Sequence, residues 1–138
     1  MNLPESVGFL VSQLSHRMGN DLDVRLKRHG VTISQWVVLT LLSQKEGISQ
    51  VEIQQRLSIE GATVTGLLNR LLKQDLIKRV PDASDRRVQR VYLTNSSKAM
   101  IEALDKEANA VNAKALEGLT QDEIAFFMRL LTRVLQNF

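Results

Sequence analysis

Between Leu76 and Thr94 the chain reads LIKRVPDASDRRVQRVYLT, and no single regular element can run through it. Pro81 has no backbone donor, and Pro81, Asp82, Ala83, Ser84 and Asp85 set or tolerate turn geometry, so a helix cannot cross this point. On either side lie short runs, Leu76 to Val80 and Val88 to Leu93, whose Val, Ile and Tyr content suits strands. The alternation is imperfect, with Val88 off phase from Val91 and Leu93. The segment predicts a β-hairpin whose tip carries Arg86 and Arg87. Adjacent guanidiniums repel each other and resist desolvation, so a tip that displays both is matched to a polyanion. Alone, such a hairpin is more often a solvated loop; what precedes it decides.

Upstream, Ser49-Gln50-Val51-Glu52 has the spacing of a capping box, in which two side chains satisfy orphan backbone donors reciprocally. It opens a short helix through Leu57, with Val51, Ile53 and Leu57 expected inward. After Ser58 to Gly61 a second helix is predicted from Ala62 to about Gln74, buried along Val64, Leu67, Leu68, Leu71 and Leu72. Its other face holds Thr63, Thr65, Gly66, Asn69, Arg70 and Lys73, short polar groups first and basic ones later. That order suits a helix whose first turns enter a major groove, where side chains reach base edges. Every amphipathic helix has a polar face; the succession of short helix, tight break, helix and basic hairpin is what makes this one a winged helix-turn-helix. Within it Glu60 is an acid at the start of the second helix, suited to capping or to accepting from a cytosine amino group.

The flanks are helical. Pro4 and Glu5 open a long helix in which Val7, Val11, Leu14, Met18, Leu22, Leu26 and His29 recur at helical spacing until Gly30 stops it. Thr32 and Gln35 form a second capping box, leading into a helix with Trp36, Val37, Leu39, Thr40, Leu41 and Leu42 that is apolar almost all round and therefore reads as core. After Thr94 or Asn95, a helix carries Ser97, Ile101, Leu104, Ala108, Val111 and Ala115 on one face. Gly118 breaks it, and Thr120 with Glu123 caps a last helix with Ile124, Phe127, Met128 and Leu131 inward. These outer stripes offer more apolar surface than one small lobe can cover. They are expected to join a partner subunit in a dimer core. The organisation is thus 1–30 as a first dimerisation helix, 31–94 as the helix-turn-helix and wing, and 95–138 as C-terminal dimerisation helices, in one structural unit.

Composition narrows the class. The 138 residues are 43% hydrophobic and 24% charged, and no apolar run reaches the length of a membrane span. No secretory leader is visible, so a cytoplasmic location and no membrane partner are expected. With no cysteine, disulfides and thiolate metal sites are excluded. His16 and His29 stand too far apart for a metal pair, and no glycine-rich phosphate loop occurs, so neither a cofactor nor an enzyme is expected. The net charge of +3 resides in the middle segment: Ser49 to Thr94 holds eight basic residues against five acidic. A positive field over one subdomain is the footprint of a nucleic-acid binder.

These residues resemble the MarR family of winged helix-turn-helix transcription regulators. The wing signature appears as Asp85-Arg86-Arg87 followed by Leu93-Thr94, and the resemblance extends over the order of helices along nearly the whole chain. It implies a homodimer on double-stranded DNA at a palindromic operator, with Ala62 to Arg70 in the major groove and Arg87 in the adjacent minor groove. It also implies that Asp85 holds the wing in shape through Arg79, six residues earlier. The family's effectors imply a small, aromatic or anionic ligand, for which His16, Arg17 and Trp36 are the candidates. Four positions depart from the usual pattern, one of them the acid Glu60 near the expected DNA face. Gly66 replaces a polar side chain in the recognition helix, Asp75 replaces a glycine after it, and Ser97 replaces a glycine at the next helix start. The alternative reading is a winged-helix module that binds a protein and has an incidental basic wing.

Overall fold

The computed structural model describes all residues, 1–138. After a single 3-10 turn at Leu3–Glu5 come α1 (Val7–Lys27), α2 (Ile33–Gln44), β1 (Ile48–Ser49), α3 (Gln50–Leu57), α4 (Gly61–Lys73), β2 (Ile77–Pro81), β3 (Gln89–Leu93), α5 (Asn95–Ala115) and α6 (Gln121–Leu135). Mainly helical with a small wing, this is the expected fold class. The sequence placed the first helix start at Pro4. Instead Ser6 is the N-cap, its hydroxyl accepting from the Phe9 N–H, because Pro4 sits in the tighter turn before it.

One core of buried side chains joins most of the elements. Val38, Leu39 and Leu42 of α2 are fully buried, as are Ile53 of α3 and Val64, Leu68 and Leu71 of α4. Val91 of β3, Leu26 near the end of α1 and Leu104 of α5 belong to the same cluster. The lobe and its flanking helices are therefore continuous in packing. Fully burying an aliphatic side chain contributes about 1.5–3 kcal/mol, so this cluster is the principal source of the fold's stability.

Turns and caps hold the helix ends. Thr32 and Gln35 form the expected reciprocal box, with Gln35 Oε1 accepting from the Thr32 N–H at 2.9 Å. Gln35 is nearly buried, and its amide is satisfied: Nε2 donates to Gln74 Oε1, and Gln74 Nε2 donates to the Gly30 carbonyl, each at 2.9 Å. That relay ties the α1–α2 turn to the end of α4. Thr94 and Ser97 make a second complete box, and Ser97 is fully buried. Ser97 thus completes a helix cap, a role its sequence position did not reveal. Thr120 and Glu123 complete the third.

The sheet corrects the sequence reading in one respect. Instead of a two-stranded hairpin, three antiparallel strands lie in the order β1-β3-β2, with Ile48 opposite Val91 and Ser49 opposite Arg90. The added strand is two residues long, too short for any periodicity to announce it, yet it makes β3 the central strand. Pro81 pairs with Gln89 at the far end of β2, an edge position where the missing donor costs nothing.

At the opposite end of the molecule, apolar surface is left uncovered. No residue of α6 is buried, and Phe126, Phe127, Met128 and Leu130 are exposed, as are Val7, Leu10, Val11 and Leu14 of α1. No helix is long and apolar enough to cross a membrane.

Candidate nucleic-acid interface

The helix pair is set by its caps. Ser49 accepts from the Glu52 N–H, but the box is half formed, because the Glu52 carboxylate pairs with Lys45 at 3.5 Å and Arg56 at 3.8 Å instead of returning to the cap. Ser58 ends α3 in the left-handed region, at φ 52°, which turns the chain sharply into α4. Glu60 occupies the N-cap of α4 without a side-chain bond, so its carboxylate does not cap the helix. On α3 Val51 is 60% exposed, not inward. Ile53 and Leu57, four apart, share the buried face, and two residues back from Ile53 is the opposite side of a helix.

The outward face of α4 is as the sequence indicated. Ala62, Thr63, Thr65, Asn69 and Arg70 are exposed, and Arg70 and Lys73 have no carboxylate partner. Gly66 lies on the same side, and a Cβ built there would meet only Arg70 Nη1, 4.0 Å away. Nothing inside the protein therefore requires a glycine at 66. Thr65 is already engaged: its hydroxyl donates to the Gly61 carbonyl at 2.9 Å and accepts from Gln50 Nε2 at 3.0 Å. Gln50, at the start of α3, is thereby drawn into this face, a contact between helices that no spacing within one helix could signal. Past α4, Asp75 adopts φ 59°, filling the left-handed position that a glycine usually takes.

The wing is braced by two carboxylates. Asp85 accepts from the Arg87 N–H and Nε at 3.1 Å and from Nη2 at 3.2 Å, so Arg87 is held at its backbone and along one edge of its guanidinium while the side chain stays 91% exposed. Asp82 Oδ2 accepts from the Ser84 and Asp85 N–H groups, each at 3.0 Å, and Oδ1 takes the Arg90 Nε at 2.6 Å. Both carboxyls are held below their ordinary value, Asp82 by the Arg90 guanidinium first and Asp85 by that of Arg87. Asp82 and Arg90 were not singled out as a pair in the sequence, where seven intervening residues hide it. Arg86 is exposed and free of carboxylates.

The expected brace between Asp85 and Arg79 is absent. Arg79 Nη2 donates to Asn69 Oδ1 at 3.0 Å, tying β2 to α4. The pleat explains this: Arg79 lies on the same side of β2 as buried Ile77, facing the helices, whereas Asp85 stands beyond Pro81 in the tip. Asn69 thereby has one of its two Oδ1 lone pairs engaged and keeps its amide donors for an outside partner.

Helices and wing enclose a shared cleft of about 370 Å³, lined by Gln50 and Gln54 of α3, Gly61 and Thr65 of α4, and Arg87 and Val88 of the wing. The effector candidates are not brought together. Arg17 lines a groove of about 320 Å³ between α1 and α5, with Asp21 and Lys114. His16 is exposed, 3.3 Å from the Asn20 amide, and Trp36 packs on the core with Nε1 directed at Asp105 Oδ1, 3.5 Å away. Trp36 stands on α2 and turns toward α5 and the core, so it cannot line the groove that Arg17 faces.

A helix-turn-helix followed by a sheet whose basic tip projects beside the second helix defines the winged helix class. The MarR family model matches residues 31–88, from the turn before α2 to the end of the wing tip, so the chain is similar to that family over this stretch. It is 30% identical over 122 residues to the HTH-type transcriptional regulator TtmR of Methylorubrum extorquens (strain PA1), covering 88% of this chain and 62% of that protein. The chain thus spans less than two thirds of that relative's length. Among solved structures it is similar to a mutant MarR from E. coli complexed with operator DNA, at 27% identity and a TM-score of 0.86 over 97% of this chain and 96% of the other. It is also similar to the S. aureus MepR–DNA complex, at 28% identity and a TM-score of 0.87 over 96% and 98%.

Proposed function

We propose that the protein is a homodimeric, sequence-specific regulator of transcription that binds double-stranded DNA, with α4 in the major groove and Arg87 in the flanking minor groove. The observation that carries this reading is the shared cleft: the exposed first turns of α4 and the tethered Arg87 border one concavity, so a single duplex would meet both. A guanidinium held by a neighbouring carboxylate loses less freedom on binding, and a narrow minor groove concentrates negative potential. The complexes of E. coli mutant MarR with operator DNA and of S. aureus MepR with DNA support the assignment. The uncovered stripes of α1 and α6 supply the dimer surface, which would set two α4 helices about 34–36 Å apart on successive turns of a palindrome. A small anionic effector would find Arg17 in the groove between α1 and α5, where Lys114 is paired with Asp21 at 3.6 Å. A phenolic acid titration that leaves DNA affinity unchanged would count against that last element alone.

The test is selection from a random duplex library at two salt concentrations. Enrichment of a palindrome with half-sites one turn apart is expected. Weak binding that enriches nothing and vanishes as salt rises would leave only the non-specific electrostatic attraction and overturn the reading.

A further inference from the structure

We infer that Arg90 is a positioning residue that fixes the wing tip, and with it Arg87, relative to the helix-turn-helix; the DNA arm of the test rests on the function proposed above. An unbroken series of hydrogen bonds supports this. Arg90 Nη1 donates to the Gly47 carbonyl at 2.9 Å, just before β1 and α3, and Arg90 Nε donates to Asp82 Oδ1 at 2.6 Å. The other Asp82 oxygen accepts from the N–H groups of Ser84 and Asp85, and the Asp85 carboxylate then grips Arg87 through three donors.

Each link removes a freedom that the tip would otherwise have. The ladder between β2 and β3 ends at Pro81 and Gln89, so residues 82–88 lie beyond regular strand pairing. Within them the backbone bonds are Asp82 N–H to the Val88 carbonyl and Val88 N–H to the Asp85 carbonyl. These bonds close the loop but do not orient it against the helices. Arg90 does so, because its planar fork serves two acceptors in fixed directions, one in the loop and one on the main chain before α3. Gly47 is itself rigidly placed: its N–H donates to the Val91 carbonyl, and its φ of 77° sets it beside the Tyr92 ring. Arg90 is only partly exposed and points back toward the protein, whereas Arg87 projects outward. The two arginines of the wing thus have different tasks: one meets the partner, and the other aims it.

The experiment compares Arg90→Met, Arg90→Lys, Asp82→Asn and Arg87→Ala. In the free protein, 15N relaxation of amides 83–87 and of Arg87 Nε should show lower order in Arg90→Met and Asp82→Asn, with the order of the helices unchanged. Affinity for the selected duplex should fall about five- to tenfold in both, with an unchanged slope against salt, because no phosphate contact is lost. Arg87→Ala should reduce that slope. Arg90→Lys keeps the charge but loses the fork, and should bind no better than Arg90→Met. Full recovery in Arg90→Lys, together with a reduced slope in Arg90→Met, would make Arg90 a phosphate contact and overturn the inference. Unchanged order at the tip would overturn it as well, as would a general loss of melting temperature in both variants. If the wild type binds no duplex, the proposed function fails, and the relaxation data still decide whether Arg90 orders the tip.

Discussion

Asp85 grips Arg87 at both guanidinium and backbone, with Nε at 3.1 Å and Nη2 at 3.2 Å from its two oxygens, while the rest of the Arg87 side chain stands free. The pair has an unusual electrostatic consequence. Asp85→Asn removes a negative charge from a surface proposed to face phosphates, so simple charge counting predicts tighter binding. The pairing predicts the opposite for the selected operator, because the released Arg87 must be ordered on binding. Titration of operator and of random duplex with this variant separates the two: specific affinity should fall about threefold or more while non-specific affinity holds or rises. A rise for both would mean that Asp85 does not aim Arg87.

The wing should also respond to acid in a defined window. The Asp82 and Asp85 carboxyls are lowered from 3.8 by their arginine partners and by backbone donors. A depressed folded-state value contributes stability that is fully present above the unfolded value and is lost as pH falls through the folded one. The contribution should therefore be constant through neutral pH and disappear only below 3.8. Carboxyl 13C shifts followed against pH should give midpoints below 3.8 for both residues. A midpoint at or above that value for Asp82 would mean that its bond to Arg90 does not persist in solution.

Gly66 offers a test of whether the α4 backbone closely approaches a partner. An added methyl meets nothing nearer than Arg70 Nη1 at 4.0 Å. Gly66→Ala should stabilise the free protein by about 0.5–1 kcal/mol, the ordinary gain in helix propensity. Duplex affinity should nevertheless drop. Urea denaturation and a binding titration on the same sample check both halves, and unchanged affinity would place Gly66 outside the contact.

Gly47 should be intolerant for the converse reason. Its φ is 77°, and a Cβ there would lie 3.0 Å from Tyr92 Oη. Gly47→Ala should cost about 1–3 kcal/mol in urea denaturation, from left-handed strain and displacement of the Tyr92 ring. A cost below that range would mean that the turn before β1 relaxes easily.

The uncovered helices predict an assembly. Phe127 is 39% exposed and Leu14 is 41% exposed, and both border the apolar groove between α1 and α6. Phe127→Asp should convert a dimer to a monomer in sedimentation equilibrium while helix content falls only modestly, because α1 to α5 all contribute side chains to the shared core or pack against it. A wild-type monomer at micromolar concentration would remove the dimer from the proposed function.

Local chemistry was legible in the sequence. Helical periodicity, capping residues and the break at Pro81 to Asp85 were sufficient for the helices, for the buried faces of α2 and α4 and for the existence of the wing, because each depends on residues within a turn or two of one another, though not for the placement of Val51 on α3. The exposed face of α4 and the basic tip were legible for the same reason. Tertiary structure alone decided the contacts between elements. The two-residue strand β1 exists only because β3 offers it a ladder, and Gln50 reaches Thr65 only because the turn at Ser58 brings α3 against α4. Arg79 turned to Asn69 instead of Asp85 because the pleat of β2 directs it toward the helices. Asp82 and Arg90, eight positions apart, meet because the hairpin folds back on itself. Side-chain pairing across elements depends on register and pleat, which are properties of the assembled sheet and of no single segment within it.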